Sequence, residues 1–323
     1  MATTEGPSLR GPQGETFPSA VRIREVGPRD GLQNEPEVVA TADKVALIDR
    51  LARSGLRRIE VTSFVRPDVI AQLADAADVL ARIDVPAGVS RSVLVPNSRG
   101  MDHALALREH FEEVGVFLSA SETHNLRNVN RSVASSLDSL RRVIARAREA
   151  ELRVEAVIAT SFGCPFEGVV DRDRVLDIAL RLAEAGAQEV AFGDTTGMAN
   201  PLQVAAHFAT ARAALGDAVE LTAHFHNTRG QGLANVLAAL QAGCSSFESS
   251  IGELGGCPVP AGATGNIATE DLVSMLHEMG IETGIDLPAL LAAAAEVQRV
   301  LGRRLGSHTL VAGPVDWQPA TEA

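Results

Sequence analysis

Two histidines stand two residues apart in the run Ala223-His224-Phe225-His226-Asn227. On an extended strand, positions i and i+2 share a face, so both imidazoles can reach one ion. Asp30, in Gly27-Pro28-Arg29-Asp30-Gly31, offers a carboxylate, and Asn266, in Gly265-Asn266-Ile267, can add an amide oxygen. One carboxylate, two imidazoles and an amide make a mixed oxygen and nitrogen set with room for water and substrate. Such a set suits Mg²⁺ or Mn²⁺, and Zn²⁺ or Co²⁺ are also open. Taken alone, the histidine pair is a weak signal, and a solvated strand end is the plainer reading. Arg29 reads as a plain ion-pair partner of Asp30, or as a guanidinium that Glu60 fixes in place to stabilise an oxyanion. Cys257, in Gly255-Gly256-Cys257-Pro258, reads as a small buried hydrophobe or as a thiol on a mobile loop. Cys164 and Cys244 read as packed. His103, His110, His207 and His277 fall on helix-like stretches and are expected at the surface.

The chain has 323 residues and a formal net charge of −12, with no dense Lys/Arg run, which disfavours a nucleic-acid partner. Aromatic residues are 3%, with no tyrosine and one tryptophan, which disfavours base-stacking platforms and leaves the core to Ala, Val, Leu and Ile. Three cysteines cannot form a fully paired set and suit a reducing cytoplasm. No apolar run approaches the roughly 18 residues of a membrane span. Residues 1–19 carry Pro7, Pro12 and Pro18, include Glu5 and Glu15 and lack an apolar core; they read as a disordered tail rather than a targeting signal.

The residues singled out must be positioned by something regular. From Arg22 onward, eight short β-branched runs alternate with Ala/Leu/Arg-rich amphipathic stretches, and glycines such as Gly55, Gly186, Gly243 and Gly280 mark the helix ends. That alternation predicts a parallel sheet with crossover helices, and eight units match a (β/α)₈ TIM barrel. A doubly wound open sheet competes, but no G-x-G-x-x-G run follows the first strand. The domain is expected over residues 20–304, with an additional C-terminal helix near Leu287–Leu301 and a tail over 305–323. In such a barrel the site lies at the C-terminal ends of the strands. Strands 1 and 7 supply the same interior layer, which would bring Asp30 to the two histidines. Asp194 and Thr195 end the sixth strand and join the substrate-facing set.

The runs Val26–Glu35, Glu60–Phe64, Gly163–Gly168, Gly193–Gly197, His224–Asn235, Gly255–Pro258 and Gly265–Asp271 together resemble the hydroxymethylglutaryl-CoA lyase family, within the DRE-TIM metallolyase group. The resemblance covers roughly residues 21–304 and keeps the family's motif order. It implies a divalent-metal-dependent retro-Claisen lyase that cleaves 3-hydroxy-3-methylglutaryl-CoA to acetyl-CoA and acetoacetate, in leucine degradation and ketone-body formation. It implies Asp30, His224, His226 and Asn266 as metal ligands, Arg29 as the enolate-stabilising group and Cys257 as a proton-transfer thiol. Gln33 and Glu60 become substrate-facing or supporting partners, and Arg303 and Arg304 retain charge for CoA phosphate. The partner is then a small acyl-CoA, with no nucleic acid or membrane, and a homo-oligomer is compatible.

This chain departs from the family pattern in places. Asn227 and Arg229 replace a family Asp and Tyr after the second histidine, Phe166 replaces a Tyr, His124 is a new polar group at the active face, and Gly302 replaces an Asn before Arg303. Arg229 adds a cation that would suit an acid group on the substrate. Two neighbouring expectations keep the fold: a lyase for another 3-hydroxy-3-alkyl-acyl-CoA, or a Claisen-type condensing enzyme. A catalytically silent barrel acting as a binding protein is the reading from another class.

Overall fold

The computed structural model describes residues 17–256 and 265–317. Eight parallel strands close into a barrel in sequence order, with the last hydrogen-bonded to the first. They are β1 (Arg22–Glu25), β2 (Arg58–Ser63), β3 (Ser90–Leu94), β4 (Glu113–Ser119), β5 (Arg153–Ala159), β6 (Glu189–Asp194), β7 (Glu220–Phe225) and β8 (Ser246–Ser249). This is the TIM barrel that the alternating pattern predicts. Around it run α1 (Thr41–Arg53), α2 (Ala76–Arg82), α3 (Ser98–Leu105), α4 (Glu122–Val129), α5 (Val133–Glu149), α6 (Arg172–Glu184), α7 (Pro201–Leu215), α8 (Gly232–Gln241), α9 (Thr269–Glu278), α10 (Leu287–Leu301) and α11 (His308–Ala312). Helix starts are capped locally: Ser132 accepts from Ser135 N at 3.2 Å before α5, and Asp286 accepts from Ala289 N at 3.0 Å before α10. Helices α2, α3 and α4 are one or two turns long, too short for a clear periodic signal in the sequence. No helix among the described residues is long and apolar enough to cross a membrane.

Three expectations change. His207 lies on the inward face of α7 and is only 2% exposed, with Phe162, Phe192 and Phe208 rings at 5.0, 4.5 and 6.0 Å. Burial, helped by Arg172, pushes its pKa down to about 4, so it is a neutral core group rather than a surface one. Helix α7 is apolar on most sides, so helical spacing could not say which face turns inward. The expected tail at 305 begins instead with docked chain. Leu305 and Ser307 are buried, and Asp271 on α9 accepts from Ser307 Oγ, His308 N and Thr309 N at 3.1, 3.0 and 2.6 Å. At the other terminus, Phe17 packs against the core and Ser19 O accepts from Glu282 N at 2.9 Å, so residues 17–19 belong to the packed domain.

The barrel interior is charged where such barrels usually hold aliphatic layers. Near the N-terminal ends of the strands, Arg24 reaches Glu113 at 2.6 Å, Glu248 at 3.3 Å and Glu189 at 3.4 Å, and also contacts Glu155. Arg58 pairs with Glu113 at 2.9 Å and with Glu189. Burial works against charge on Glu113, but Arg24 and Arg58 outweigh it and pull its pKa down to about 2. Their guanidiniums likewise keep Glu189 ionised.

Candidate active site

The chain leaves β1 through a tight turn in which Val26 O accepts from Arg29, Asp30 and Gly31 N at 3.2, 2.7 and 3.2 Å. Only glycine fits at its ends. A Cβ on Gly27 would lie 2.6 Å from Glu25 Oε1, and one on Gly31 would lie 2.7 Å from Ser250 Oγ. The turn aims Arg29 and Asp30 into the barrel mouth. Arg29 Nε donates to Glu60 Oε2 at 2.6 Å, and its Nη1 donates to Asp30 Oδ1 at 2.9 Å. The other Asp30 oxygen accepts from Asn266 Nδ2 at 2.8 Å. Burial opposes charge on Asp30, but Arg29, then His224, Asn266 and His226 outweigh it and hold the carboxyl below its usual range. Burial raises Glu60, with Glu248 and Asp30 adding and Arg29 opposing.

Strand β7 carries His224, and His226 is the first residue after its end, with ring centroids 5.3 Å apart. Asp30, His224 and His226 each offer a ligand atom, all within 4.8 Å of one another. Spacing on the strand made the histidine pair visible in sequence, and barrel closure brings in Asp30. His224 Nδ1 lies 2.8 Å from Glu248 Oε2. An ionised carboxylate can only accept, so Nδ1 carries the proton, and in the neutral ring Nε2 is the nitrogen with a lone pair. Burial disfavours charge on His224, but Glu248 more than offsets it and raises the ring above its usual range. Asn266 uses its Nδ2 on Asp30 and on Leu254 O at 3.0 Å, while its Oδ1 is buried with no hydrogen-bond partner among the described residues. An amide oxygen of this kind is chemically able to serve as a cation ligand.

The remaining candidates divide. Asp194 is buried and its Oδ1 accepts from Met198 N at 2.7 Å and Ala199 N at 3.0 Å, which shapes the loop after β6. Burial pushes its pKa up to about 7. Thr195 Oγ1 accepts from Thr160 N at 3.0 Å. Arg229 donates to the carbonyls of Thr196 and Gly197 at 2.9 and 2.7 Å, so its cation ties two loops together instead of standing open for an acid group. Gln33 is half-buried on the β1 loop. Arg303, which pairs with Glu35, and Arg304 line a cavity of about 550 Å³ together with Asn34, Glu253 and Gly255. His124 packs 6.3 Å from Phe166, whose ring also carries the Arg127 guanidinium at 4.0 Å. Cys257 lies outside the described residues.

Three positioning carboxyls escaped sequence reasoning. Glu248 fixes His224. Glu25 Oε1 accepts from Gly27 N at 2.7 Å and Ile251 N at 2.9 Å, and burial pushes its pKa up to about 7. Glu253 meets Asn227 across the β7 and β8 loops. Glu248 could have been flagged by the two-residue rule, since a strand glutamate beside a histidine strand is well placed to orient it; the loop pairings carry no such signal.

The HMGL-like family model matches residues 20–297. Hydroxymethylglutaryl-CoA lyase YngG of Bacillus subtilis is 47% identical over 294 residues, 91% of this chain and 97% of that protein. A 3-hydroxy-3-isohexenylglutaryl-CoA/hydroxymethylglutaryl-CoA lyase of Pseudomonas aeruginosa is 42% identical, across 90% of this chain and 96% of that one. An HMG-CoA lyase structure from Acinetobacter baumannii, in complex with coenzyme A and 3-methylmalate, superposes with a TM-score of 0.88 at 39% identity, covering 94% and 98% of the two chains.

Proposed function

The chain belongs to the HMGL-like family, and from that premise we propose that it is a carbon–carbon lyase that cleaves 3-hydroxy-3-methylglutaryl-CoA to acetyl-CoA and acetoacetate. The observation that carries the reading is the meeting of Asp30, His224, His226 and the unpartnered Asn266 oxygen beside an arginine clamped by Glu60. The donor set fits a divalent cation, with Mg²⁺ or Mn²⁺ favoured by its oxygen content. Held by Asp30, His224, His226 and Asn266, such an ion would supply Lewis acidity toward the oxygens of the substrate.

The protein groups do the rest. The reaction removes the hydroxyl proton, breaks C2–C3 and leaves an acetyl-CoA enolate that must regain a proton. Arg29 is held by two carboxylates at 2.6 and 2.9 Å, so its remaining guanidinium donors are fixed before charge develops on the enolate oxygen. Glu60 and Asp30 set that orientation, and Glu248 sets the His224 ring. Proton return is assigned to Cys257, on the strength of its place behind Gly255-Gly256. Arg303, Arg304 and the cavity beside them suit the phosphates of CoA. The reading carries with it a cytoplasmic enzyme of leucine degradation and ketone-body formation.

Product analysis by mass spectrometry, with a panel of 3-hydroxy-3-alkylglutaryl-CoA thioesters, tests the proposal. Acetyl-CoA and acetoacetate should form in equal amounts with Mg²⁺ or Mn²⁺, vanish after chelation and return on adding the ion. Intact hydroxymethylglutaryl-CoA in the presence of the metal, or full turnover in excess chelator, would overturn it.

A further inference from the structure

Asn227 stands directly after His226, where the family pattern has an acid. Its amide orientation is set by the chain: Oδ1 accepts from Gly232 N at 3.2 Å at the start of α8, so Nδ2 must donate elsewhere. It donates to Glu253 Oε1 at 2.7 Å. Glu253 is one of four non-glycine residues at positive φ among the described residues, at 64°. A glutamate gains nothing locally from that conformation, and backbone strain of this kind persists where the surroundings impose it. Its second oxygen lies against Gly306, where a Cβ would collide with it, and Gly306 N in turn donates to Gly252 O at 3.0 Å. The Asn227 backbone N also donates to Gly265 O at 3.1 Å, next to Asn266. One side-chain pair therefore joins the loop after His226, the loop after β8 and the docked C-terminal segment.

We propose that Glu253 is a positioning residue for the lyase reaction, setting His226 and the Asn266 strand end in register by holding the Asn227 amide. The carboxylate that the family pattern puts after the second histidine is here supplied from the β8 loop, with Asn227 as the donor between them. The inference rests on the function proposed above.

The pair can be cut and swapped. In Glu253→Gly, glycine takes a φ of 64° freely, so the melting temperature should equal or exceed that of the wild type. Its Mn²⁺ affinity, read by calorimetry without substrate, and its kcat should each fall by about tenfold, the low end for partners that orient metal ligands, with KM moving less. Asn227→Asp sets two carboxylates face to face and should lose more. The double variant Asn227→Asp/Glu253→Gln reverses donor and acceptor and should recover most of both quantities. Opposite movement of stability and Mn²⁺ affinity in Glu253→Gly, together with recovery in the swap, supports positioning. Unchanged Mn²⁺ affinity and kcat in Glu253→Gly, a drop in melting temperature that accounts for the loss, or no recovery in the swap overturns it. If wild-type protein binds Mn²⁺ yet cleaves no substrate, the proposed function fails while the affinity series still decides the pairing.

Discussion

The two ends of the barrel use the same materials to opposite effect. Near the N-terminal ends of the strands, Arg24 and Arg58 meet Glu113, Glu155, Glu189 and Glu248, and each guanidinium has several carboxylates around it. At the mouth, Arg29, Asp30, Glu60, His224, His226 and Asn266 are packed as closely, but the Asn266 oxygen has no partner among the described residues and Glu248 leaves His224 Nε2 to face outward. Glu155 Oε1 in the lower layer is likewise without a hydrogen-bond partner among the described residues, so what sets the mouth apart is the pair of imidazoles beside a carboxylate. Carboxylates gathered around guanidiniums act as a core, and a carboxylate gathered with two imidazoles acts as a site. Glu248 belongs to both, contacting Arg24 at 3.3 Å on one side and His224 at 2.8 Å on the other.

That contrast can be broken at several points. The largest effect should come from Arg29→Gln, which keeps donors but removes the fixed cation. Turnover should fall by about a hundred- to a thousand-fold while KM changes little, since the interaction is made with charge present only in the transition state. A KM effect alone would make Arg29 a binding residue and erase the difference between the two ends. Arg24→Met should act on stability instead. It strands buried carboxylates, and removing one partner of such a pair costs about 3–5 kcal/mol, which urea unfolding would register as a lowered midpoint. A midpoint near that of the wild type would mean that the lower layer is not held by charge pairing.

The smallest effect sharpens the boundary between them. Glu270 is buried on α9, both its oxygens accept from Gly252 N at 3.0 Å, and burial pushes its pKa up to about 8. A carboxyl raised in the folded state favours the protonated fold. Its contribution is full below the unfolded value near 4.5 and is lost as pH rises toward 8. Glu270→Gln should flatten the fall in melting temperature between pH 5 and 8, by a few degrees at the upper end. Glu113 and Glu189 behave oppositely: their depressed pKa values give stability that is lost as pH falls below about 4.5. An unchanged slope in Glu270→Gln would place the alkaline loss elsewhere.

Much of the fold was legible because it rests on short-range rules. β-Branched runs, amphipathic stretches and the four helix-ending glycines are local, and those glycines all adopt positive φ. The two-residue spacing of His224 and His226 on one strand is equally local. The sequence by itself therefore determined the alternating architecture, the strand-end address of the site and the residue types able to hold a cation. What only the tertiary structure decided is which of those groups are satisfied. His207 looked like a surface residue until α7 packed three rings around it. Arg229 looked like an open cation until the β6 loop presented two carbonyls to it. Asp30 meets Asn266 across 236 residues, and Arg24 meets Glu248 across 224. Whether a buried lone pair is free or occupied depends on atoms delivered by distant strands, and no local pattern in a chain records what closure of the barrel brings to face it.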